Sequence, residues 1–125
     1  MITEDYCSFE VAKLLKEKGF DKFSYYGWDE QLFDKEHPRN FSIGIDDKKQ
    51  WISCHTHQMA MKWLRKEHNI FIQISAVLQD QPFGLHYRTS IQDYHAYARY
   101  DNFNEYVTYE EAVEAACIYA LKNLI

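Results

Sequence analysis

Cys54, His55 and His57 form the densest cluster of side chains in the sequence that could bind a soft metal ion. Thiolates and imidazoles are the ligands that zinc prefers, and tetrahedral zinc needs a fourth ligand. That ligand would have to be brought near by the fold, and the sequence offers His68, His86, His95 and Cys7. The spacing of these residues matches no zinc motif. We therefore predict no metal and no cofactor, and keep the first three residues as candidate ligands.

Nucleophilic chemistry by a cysteine needs a base within hydrogen-bond reach and an oxyanion donor nearby. Three cysteines and six histidines allow many such pairs, and nothing in their spacing selects one. The paired carboxylates Glu110 and Glu111 are better explained as first-turn residues that complement a helix dipole. The sequence thus predicts no catalytic residue and favours a protein that is not an enzyme.

Two sets of basic and aromatic residues could instead bind nucleic acid. Lys62, Arg65 and Lys66 share the outer face of a predicted helix. A predicted sheet surface adds four more candidates, in which rings would stack on bases beside cations: Tyr87, Arg88, Tyr97 and Arg99. A net charge of −5 disfavours this function, because nonspecific affinity for nucleic acid comes mainly from clustered cations. The alternative is that these charged faces are simply solvated.

Length and composition set the broad class. A chain of 125 residues fits one domain, 1–125, that buries a sizeable core without disulfides or metal. Three widely spaced cysteines are typical of reduced thiols and favour a cytoplasmic location. The sequence has no apolar run of about 18 residues, so we expect no membrane span.

The segment from Thr56 to Leu78 predicts the central elements. Thr56 is a good N-cap, a helix-period apolar face follows it, and Asn69 is suited to end the helix in a left-handed conformation. Apolar residues then alternate from Ile70 onward, which is the period of a strand. We predict an interior strand whose aliphatic side is covered by helices.

The remaining elements complete an α+β prediction. Helices are predicted from Phe9 to Lys18, with Ser8 as N-cap, and after the capping box at Thr108. Alternation and turn residues indicate five strand segments: Phe20–Tyr26, Phe41–Ile45, Trp51–Cys54, Leu85–Ile91 and Tyr94–Tyr100. Loops are predicted at Trp28–Asn40 and Asp101–Glu105. The expected fold is one antiparallel sheet of about four strands with three helices on one face, in the order α-ββ-α-ββ-α.

The three helix entrances look alike, since each has a hydroxyl cap, an aromatic ring, a Glu or Gln, one further residue and an Ala. An α-β-β repeat is one interpretation. The other is that three helices meet the same capping requirement in the same way, and the capping preferences alone favour it.

Three blocks of the sequence carry a resemblance: SFEVAKLLKEKGF, THQMAMKWLRKEHNI and TYEEAVEAACIYALKNLI. Together they resemble a group of small proteins, uncharacterised in activity, that phages and mobile elements of gut bacteria encode. The blocks cover somewhat under half of the chain. The resemblance implies a mobile-element accessory protein in a bacterial cytoplasm, and it implies no activity, cofactor or catalytic residue.

Aromatic residues make up 17% of the chain, with ten tyrosines among them. They concentrate in the less regular segments, where they would either form an interface or cover the second face of the sheet. From these observations we predict a small interaction or adaptor module whose partner is a protein, including a second copy of itself paired along an edge strand.

Overall fold

The computed structural model describes residues 5–30, 35–41, 51–80 and 83–125. The elements in that part of the chain are α1 (Phe9–Glu17), β1 (Tyr26–Asp29), β2 (Arg39–Asn40), β3 (Trp51–Ser53), α2 (His57–His68), β4 (Ile70–Asp80), β5 (Phe83–Asp93), β6 (Ala98–Tyr106) and α3 (Tyr109–Asn123). None of these three helices is both long enough and apolar enough to cross a membrane. The chain divides into two compact units, residues 1–60 and 61–125.

The first unit contains a small antiparallel sheet with the order β2-β1-β3. Beyond β3 the chain continues as an antiparallel bridge in which Tyr6 lies opposite Thr56. The N–H of Cys7 donates to the carbonyl of His55 at 2.8 Å. Helix α1 packs on β3.

The core of the first unit explains why β1 contains a glycine. Trp28 and Ile52 are buried there together with Ala12 and Cys54. Gly27 lies between strands on both sides, opposite Arg39 of β2 and Ser53 of β3. A Cβ atom at Gly27 would come within 2.2 Å of the Ile52 carbonyl oxygen, so this close backbone approach requires glycine.

The predicted helix caps are confirmed. The Ser8 hydroxyl accepts from Val11 N at 3.3 Å, and the Thr56 hydroxyl accepts from Met59 N at 3.2 Å. Thr108 accepts from Glu111 N at 3.1 Å. Asn69 adopts a φ of 54° directly after α2, as its small polar side chain permits. These features follow from short-range preferences, which is why the sequence is sufficient to place them.

The second unit contains the sheet β4-β5-β6, a meander in which all pairs are antiparallel. Strands β4 and β5 pair without interruption over eleven residues each, from Ile70 opposite Asp93 to Asp80 opposite Phe83. The β5–β6 register shifts between Tyr87 and Thr89, which marks a bulge. Helix α3 packs on all three strands. It buries a row of small and aliphatic residues: Ala112, Val113, Ala116, Cys117, Ala120 and Leu121.

The predicted α+β class with antiparallel pairing is confirmed. In the described part of the chain, however, the strands form two three-stranded sheets rather than one sheet of about four, in the order α-βββ-α-βββ-α. Helices α1 and α3 accordingly pack on different sheets. Alternation predicts strands individually, whereas the grouping of strands into sheets depends on long-range pairing that a local period does not encode. The single domain 1–125 stays a prediction.

Strand positions in the first unit differ from those predicted. Residues 20–25 are irregular, and the strand begins only at Tyr26 and ends at Asp29, inside the predicted loop. The rings of Phe20 and Phe23 contact other aromatic rings instead of alternating across a sheet. Strand β3 is confirmed at Trp51–Ser53. The predicted strand at 41–45 lies outside the described residues, apart from Phe41.

Strand positions in the second unit differ at two places. Residues 94–97 form a turn, and the strand predicted at 94–100 starts at Ala98 and runs through the predicted loop at Asp101–Glu105. The predicted interior strand β4 lies at the end of the strand order and pairs, among the described residues, with β5 alone. Apolar alternation indicates which face of a strand is buried, but it carries no information on the strand's lateral position in the sheet.

The αβββ element order occurs twice, which bears on the repeat interpretation. In the first unit the strand that follows the helix, β1, has pairing partners on both sides. In the second unit the corresponding strand, β4, stands at the end of the order and β5 has partners on both sides. The similar helix entrances therefore do not lead to equivalent sheets.

Candidate interaction surface

The sheet of the second unit has one face covered by α3 and one open face. Residues directly opposite each other on antiparallel strands point to the same side. Tyr100 lies opposite Ile91, and its ring is 5.7 Å from that of Tyr119 in α3. The even-numbered residues of β4 therefore face α3, because Ile72 lies opposite Ile91. The odd-numbered residues of β4 share the open face with Arg88, Ser90 and Gln92.

The cations of the open face are paired with carboxylates. Arg88 Nε lies 3.1 Å from Glu105 Oε1, and Arg99 Nε lies 2.9 Å from Asp101 Oδ1. The Ser90 hydroxyl also donates to Asp101 at 2.7 Å. The hydrogen bond from Ser90, followed by that from Arg99, lowers the pKa of Asp101 below its ordinary value. Both arginines thus have a carboxylate partner on the same face.

The aromatic candidates do not assemble with these arginines into a stacking platform. Tyr87 lies on the α3 side of the sheet, where its ring is 6.0 Å from that of Tyr109. Tyr97 lies in the β5–β6 turn with a φ of 54°, and 95% of its surface is exposed. Phe71 does share the open face, but its ring contacts Tyr94, 5.2 Å away. The open face is therefore mainly polar.

Lys62, Arg65 and Lys66 are exposed on α2, as the helical period predicts. Arg65 and Lys66 lie in the last turn, where cations complement the helix dipole. The exposure of these three side chains agrees equally with a solvated face and with a nucleic-acid contact.

The candidate metal ligands Cys54, His55 and His57 are all buried, and the polar atoms of Cys54 and His55 are directed to different neighbours. His55 Nε2 donates to the Lys22 carbonyl at 2.9 Å, and its ring stacks on Phe20 with the centroids 4.6 Å apart. Cys54 Sγ donates to the Cys7 carbonyl at 3.6 Å. Within the described ranges, no three cysteine, histidine or acidic side chains are grouped so that they could hold a metal ion.

The three cysteines are buried, and none of them forms a disulfide. Burial in α3 raises the pKa of the Cys117 thiol to about 12, which keeps it protonated at neutral pH. Because the thiolate is the nucleophilic form, this cysteine is suited to packing.

The environment of His55 predicts a pH dependence of stability. Burial lowers the pKa of His55 below its ordinary value of 6.5, although the hydrogen bond to Lys22 opposes this shift. As the pH falls through 6.5 the unfolded chain takes up a proton at this position before the folded chain does, so the free energy of unfolding decreases. Above that pH His55 is neutral in both the folded and the unfolded chain, so its titration no longer changes the free energy of unfolding. Urea unfolding between about pH 7.5 and about pH 5 measures the effect.

The control for this measurement is a pair of substitutions. His55→Gln keeps a side-chain N–H for the Lys22 carbonyl but cannot titrate, so its stability should fall less over the same pH range. His95→Gln removes an exposed histidine and should retain the wild-type slope. Equal slopes in wild type and His55→Gln would refute the assignment.

Strand β4 was predicted to lie inside a sheet, but it has an outer edge that pairs with no described strand. Its backbone orientation follows from one hydrogen bond, in which the Asn69 carbonyl accepts from Tyr94 N at 3.0 Å. The C=O and N–H of one trans peptide point in opposite directions, so the N–H of Ile70 points away from β5. Because the β4–β5 register is continuous, the backbone groups that point outward also belong to Ile72, Ile74, Ala76 and Leu78.

The two outer strands of this sheet differ in their protection. Charged side chains and bulges are common devices that keep an edge strand from pairing with another chain. Strand β6 carries Arg99, Asp101 and Glu105 and adjoins the bulge. Strand β4 has no charged residue from Ile70 to Gln79 and no proline, and its pairing with β5 has no bulge. This absence of charge is a signal that the sequence already contained.

The β4–β5 hairpin also exposes apolar side chains on its α3 side, close to the turn that joins the two strands. Leu78 and Leu85 lie directly opposite each other, and they are 63% and 56% exposed. Ala76 is also exposed. Among the described residues, an edge without charge or bulge and an exposed leucine pair therefore occur in the same hairpin of the second unit.

Comparison of the chain with models of known protein families, with curated proteins and with solved structures gives no significant match.

Proposed function

We propose that this protein is a protein-interaction module that binds a second copy of itself by antiparallel pairing of β4 with β4 of the partner. Strand addition of this kind gives affinity through main-chain hydrogen bonds and selectivity through the side chains on each face. The observation that carries the proposal is that two properties of β4 alternate in phase along the strand. Its outward backbone groups and its α3-side apolar side chains belong to the same residues.

This coincidence favours a second copy as the occupant. The outward N–H and C=O groups of two β4 strands can bond to each other only if even-numbered residues of one copy lie opposite even-numbered residues of the other. The apolar side chains of both copies then lie on the same side of the joined sheet. In antiparallel registers centred on Ile74, Ser75 or Ala76, Leu78 lies opposite Ile70, Ile72 or Ile74 of the partner. Neither edge carries a charge there, so pairing incurs no like-charge repulsion. An antiparallel strand pair of one sequence also has the two-fold symmetry of most homodimers.

Nucleic-acid binding is the alternative function, and the site geometry favours it less. The sheet arginines are held by Glu105 and Asp101, and the whole chain carries a net charge of −5. Among the residues that the structure describes, the exposed cations of α2 support it, namely Lys62, Arg65 and Lys66.

The cellular setting is part of the proposal. Three cysteines, each buried and outside any disulfide, support a reducing compartment, and we propose the cytoplasm. The phage or mobile-element setting rests on the resemblance of three sequence blocks and stays a prediction. The genes that neighbour this one would test it.

Sedimentation of the full chain tests the proposed self-association. We expect the mass to rise from that of one 15.0 kDa chain to that of two as concentration increases from about 1 µM to about 1 mM. Amide exchange should slow over the same range at Ile72, Ile74, Ala76 and Leu78, and at Ile70 as well in the register centred on Ile74, because the outward N–H groups become newly paired. A monomer at every concentration would refute the proposal. Retention on heparin that is lost in a Lys62→Glu, Arg65→Glu, Lys66→Glu variant, without dimerisation, would favour the alternative.

A further inference from the structure

A cleft of about 530 Å³ lies in the second unit, between α3 and the strands β5 and β6. It is lined by Thr89 and Ile91 of β5, by residues 99–102 of β6, and by Ala115, Ala116 and Tyr119 of α3. The proposed self-association uses β4, which is not among these elements. The cleft is therefore independent of that contact.

Small residues of the helix and two rings shape the cleft. Ala115 and Ala116 each present only a methyl group, so α3 leaves space above the sheet at this point. The rings of Tyr100 and Tyr119 contact each other with their centroids 5.7 Å apart. Tyr119 is 41% exposed and Tyr100 is half-buried, so both rings still have surface that a ligand can contact.

The charged residues of the lining belong to the opposite face of the sheet. Asp101 lies opposite Ser90 and Arg99 lies opposite Gln92, which places both charged side chains on the open face. There Arg99 Nε donates to Asp101 Oδ1 at 2.9 Å. Among the described lining residues, none with a charged side chain faces α3. Because an unpaired charge is costly to remove from water, this side of the cleft disfavours an ionised ligand.

Thr89 supplies a polar group whose hydrogen bonding is incomplete. It lies opposite Ile74, so its side chain faces α3 and the cleft, and only 4% of its surface is exposed. In the described part of the chain its hydroxyl has no hydrogen-bond partner. By contrast, the amide of Asn102 donates to the Tyr106 hydroxyl and accepts from Asn104 N, both at 2.9 Å. Buried hydroxyls are normally paired, so a ligand that bonds to Thr89 recovers free energy that the protein alone forgoes.

The size of the cleft limits the ligand. An apolar cavity of about 150 Å³ holds benzene, and sites for small molecules range from about 300 to about 1,000 Å³. A cleft of about 530 Å³ therefore has room for two or three fused rings. The exposed surfaces of Tyr100 and Tyr119 favour rings that are aromatic.

We propose that this cleft binds a neutral aromatic compound of two or three fused rings that carries a hydroxyl or carbonyl group. The rings of the ligand lie against the two tyrosines and the alanine methyl groups. Its polar group bonds to the Thr89 hydroxyl, which can both donate and accept.

Titration of the full chain, labelled with ¹³C at the alanine methyl groups, with 2-naphthol and with 2-methylnaphthalene tests this proposal. The two probes share the fused rings and have substituents of similar size, but only 2-naphthol can form a hydrogen bond. We expect both to shift the Ala115 and Ala116 methyl resonances. We expect 2-naphthol to bind about fivefold more tightly, because the methyl probe covers Thr89 without bonding to it. Ala12 and Ala60, which belong to the first unit, serve as internal controls.

Thr89→Val keeps the branched shape of the side chain and removes the hydroxyl, so it should bring the two affinities to within about twofold. Ser75→Ala removes a hydroxyl from the open face and should leave the preference unchanged. Equal affinity of the two probes for the wild-type protein would overturn the role of Thr89. Absence of any shift at Ala115 and Ala116, or a shift confined to Ala76 at the self-association edge, would overturn the site. Both outcomes are readable in the wild-type chain even if Thr89→Val does not fold.

Discussion

Gly27→Ala is expected to destabilise the first unit by about 3 kcal/mol or more, which is a large part of the stability of a small domain. The added Cβ would lie 2.2 Å from the Ile52 carbonyl oxygen and 3.0 Å from Cys54 N. Both are backbone atoms, so no side-chain rotation can relieve the overlap. Strands β1 and β3 would have to separate. Urea unfolding followed by tryptophan fluorescence measures the loss, because Trp28 and Trp51 are both buried in this unit.

Gly19→Ala is the matched control for this substitution. Gly19 has a φ of 106°, and a Cβ added there would meet no atom within 4 Å, so alanine adds backbone strain without overlap. Its expected cost is about 1–2 kcal/mol. If Gly27→Ala loses no more stability than Gly19→Ala, the close approach of β1 and β3 is not as described.

Ala76→Pro is expected to abolish self-association and to leave the second unit folded. The N–H of Ala76 points away from β5, so proline removes no hydrogen bond of the β4–β5 pair, and prolines are tolerated in strands at such edge positions. In the proposed dimer the same N–H is paired, and both copies lose it. We expect the dimer dissociation constant to rise about a hundredfold or more, measured by sedimentation, with the circular dichroism spectrum retained.

Val77→Pro is the control that tests which residues of β4 direct their N–H groups towards β5. The N–H of Val77 points towards β5, where Val77 lies opposite His86, so proline there breaks the hairpin from within. We expect this variant to lose the fold of the second unit. If Ala76→Pro unfolds the protein and Val77→Pro does not, the outward N–H groups of β4 belong to its odd-numbered residues, and the assignment made above is wrong.

The sequence was informative where structure depends on neighbours a few residues apart. The caps at Ser8, Thr56 and Thr108 were predicted because each hydroxyl accepts from an amide three residues ahead. Strands β4 and β5 were predicted because apolar residues alternate in both of them, and the structure pairs the two strands directly.

The sequence was less informative where structure depends on pairing between distant segments. Gly27 looked like the end of a strand, although it is the point at which β3 comes closest to β1. Segment 20–25 looked like a strand because of its rings, which instead pack as a cluster around Phe23 and Phe41. Asp101 was predicted to lie in a loop, yet it belongs to β6, and an outer strand favours a charged residue.

The candidate site shows the same limit. Sequence reasoning identified Arg88 and Arg99 by type but could not place Glu105 and Asp101 beside them. It also identified the apolar character of β4 and interpreted the segment as an interior strand of a sheet with helices over its aliphatic side. The deciding fact is the direction of backbone N–H groups, which depends on the phase of the β4–β5 hydrogen bonds and has no counterpart in residue type.

The contrast between the two outer strands has a consequence for how large the assembly can become. Once β4 of one copy has paired with β4 of another, the joined sheet, as far as the described strands form it, terminates at β6 on both sides. These terminal strands carry Arg99, Asp101 and Glu105, which oppose the addition of a third chain. The proposed contact is therefore self-limiting, and concentrated protein should stop at pairs instead of growing into fibres.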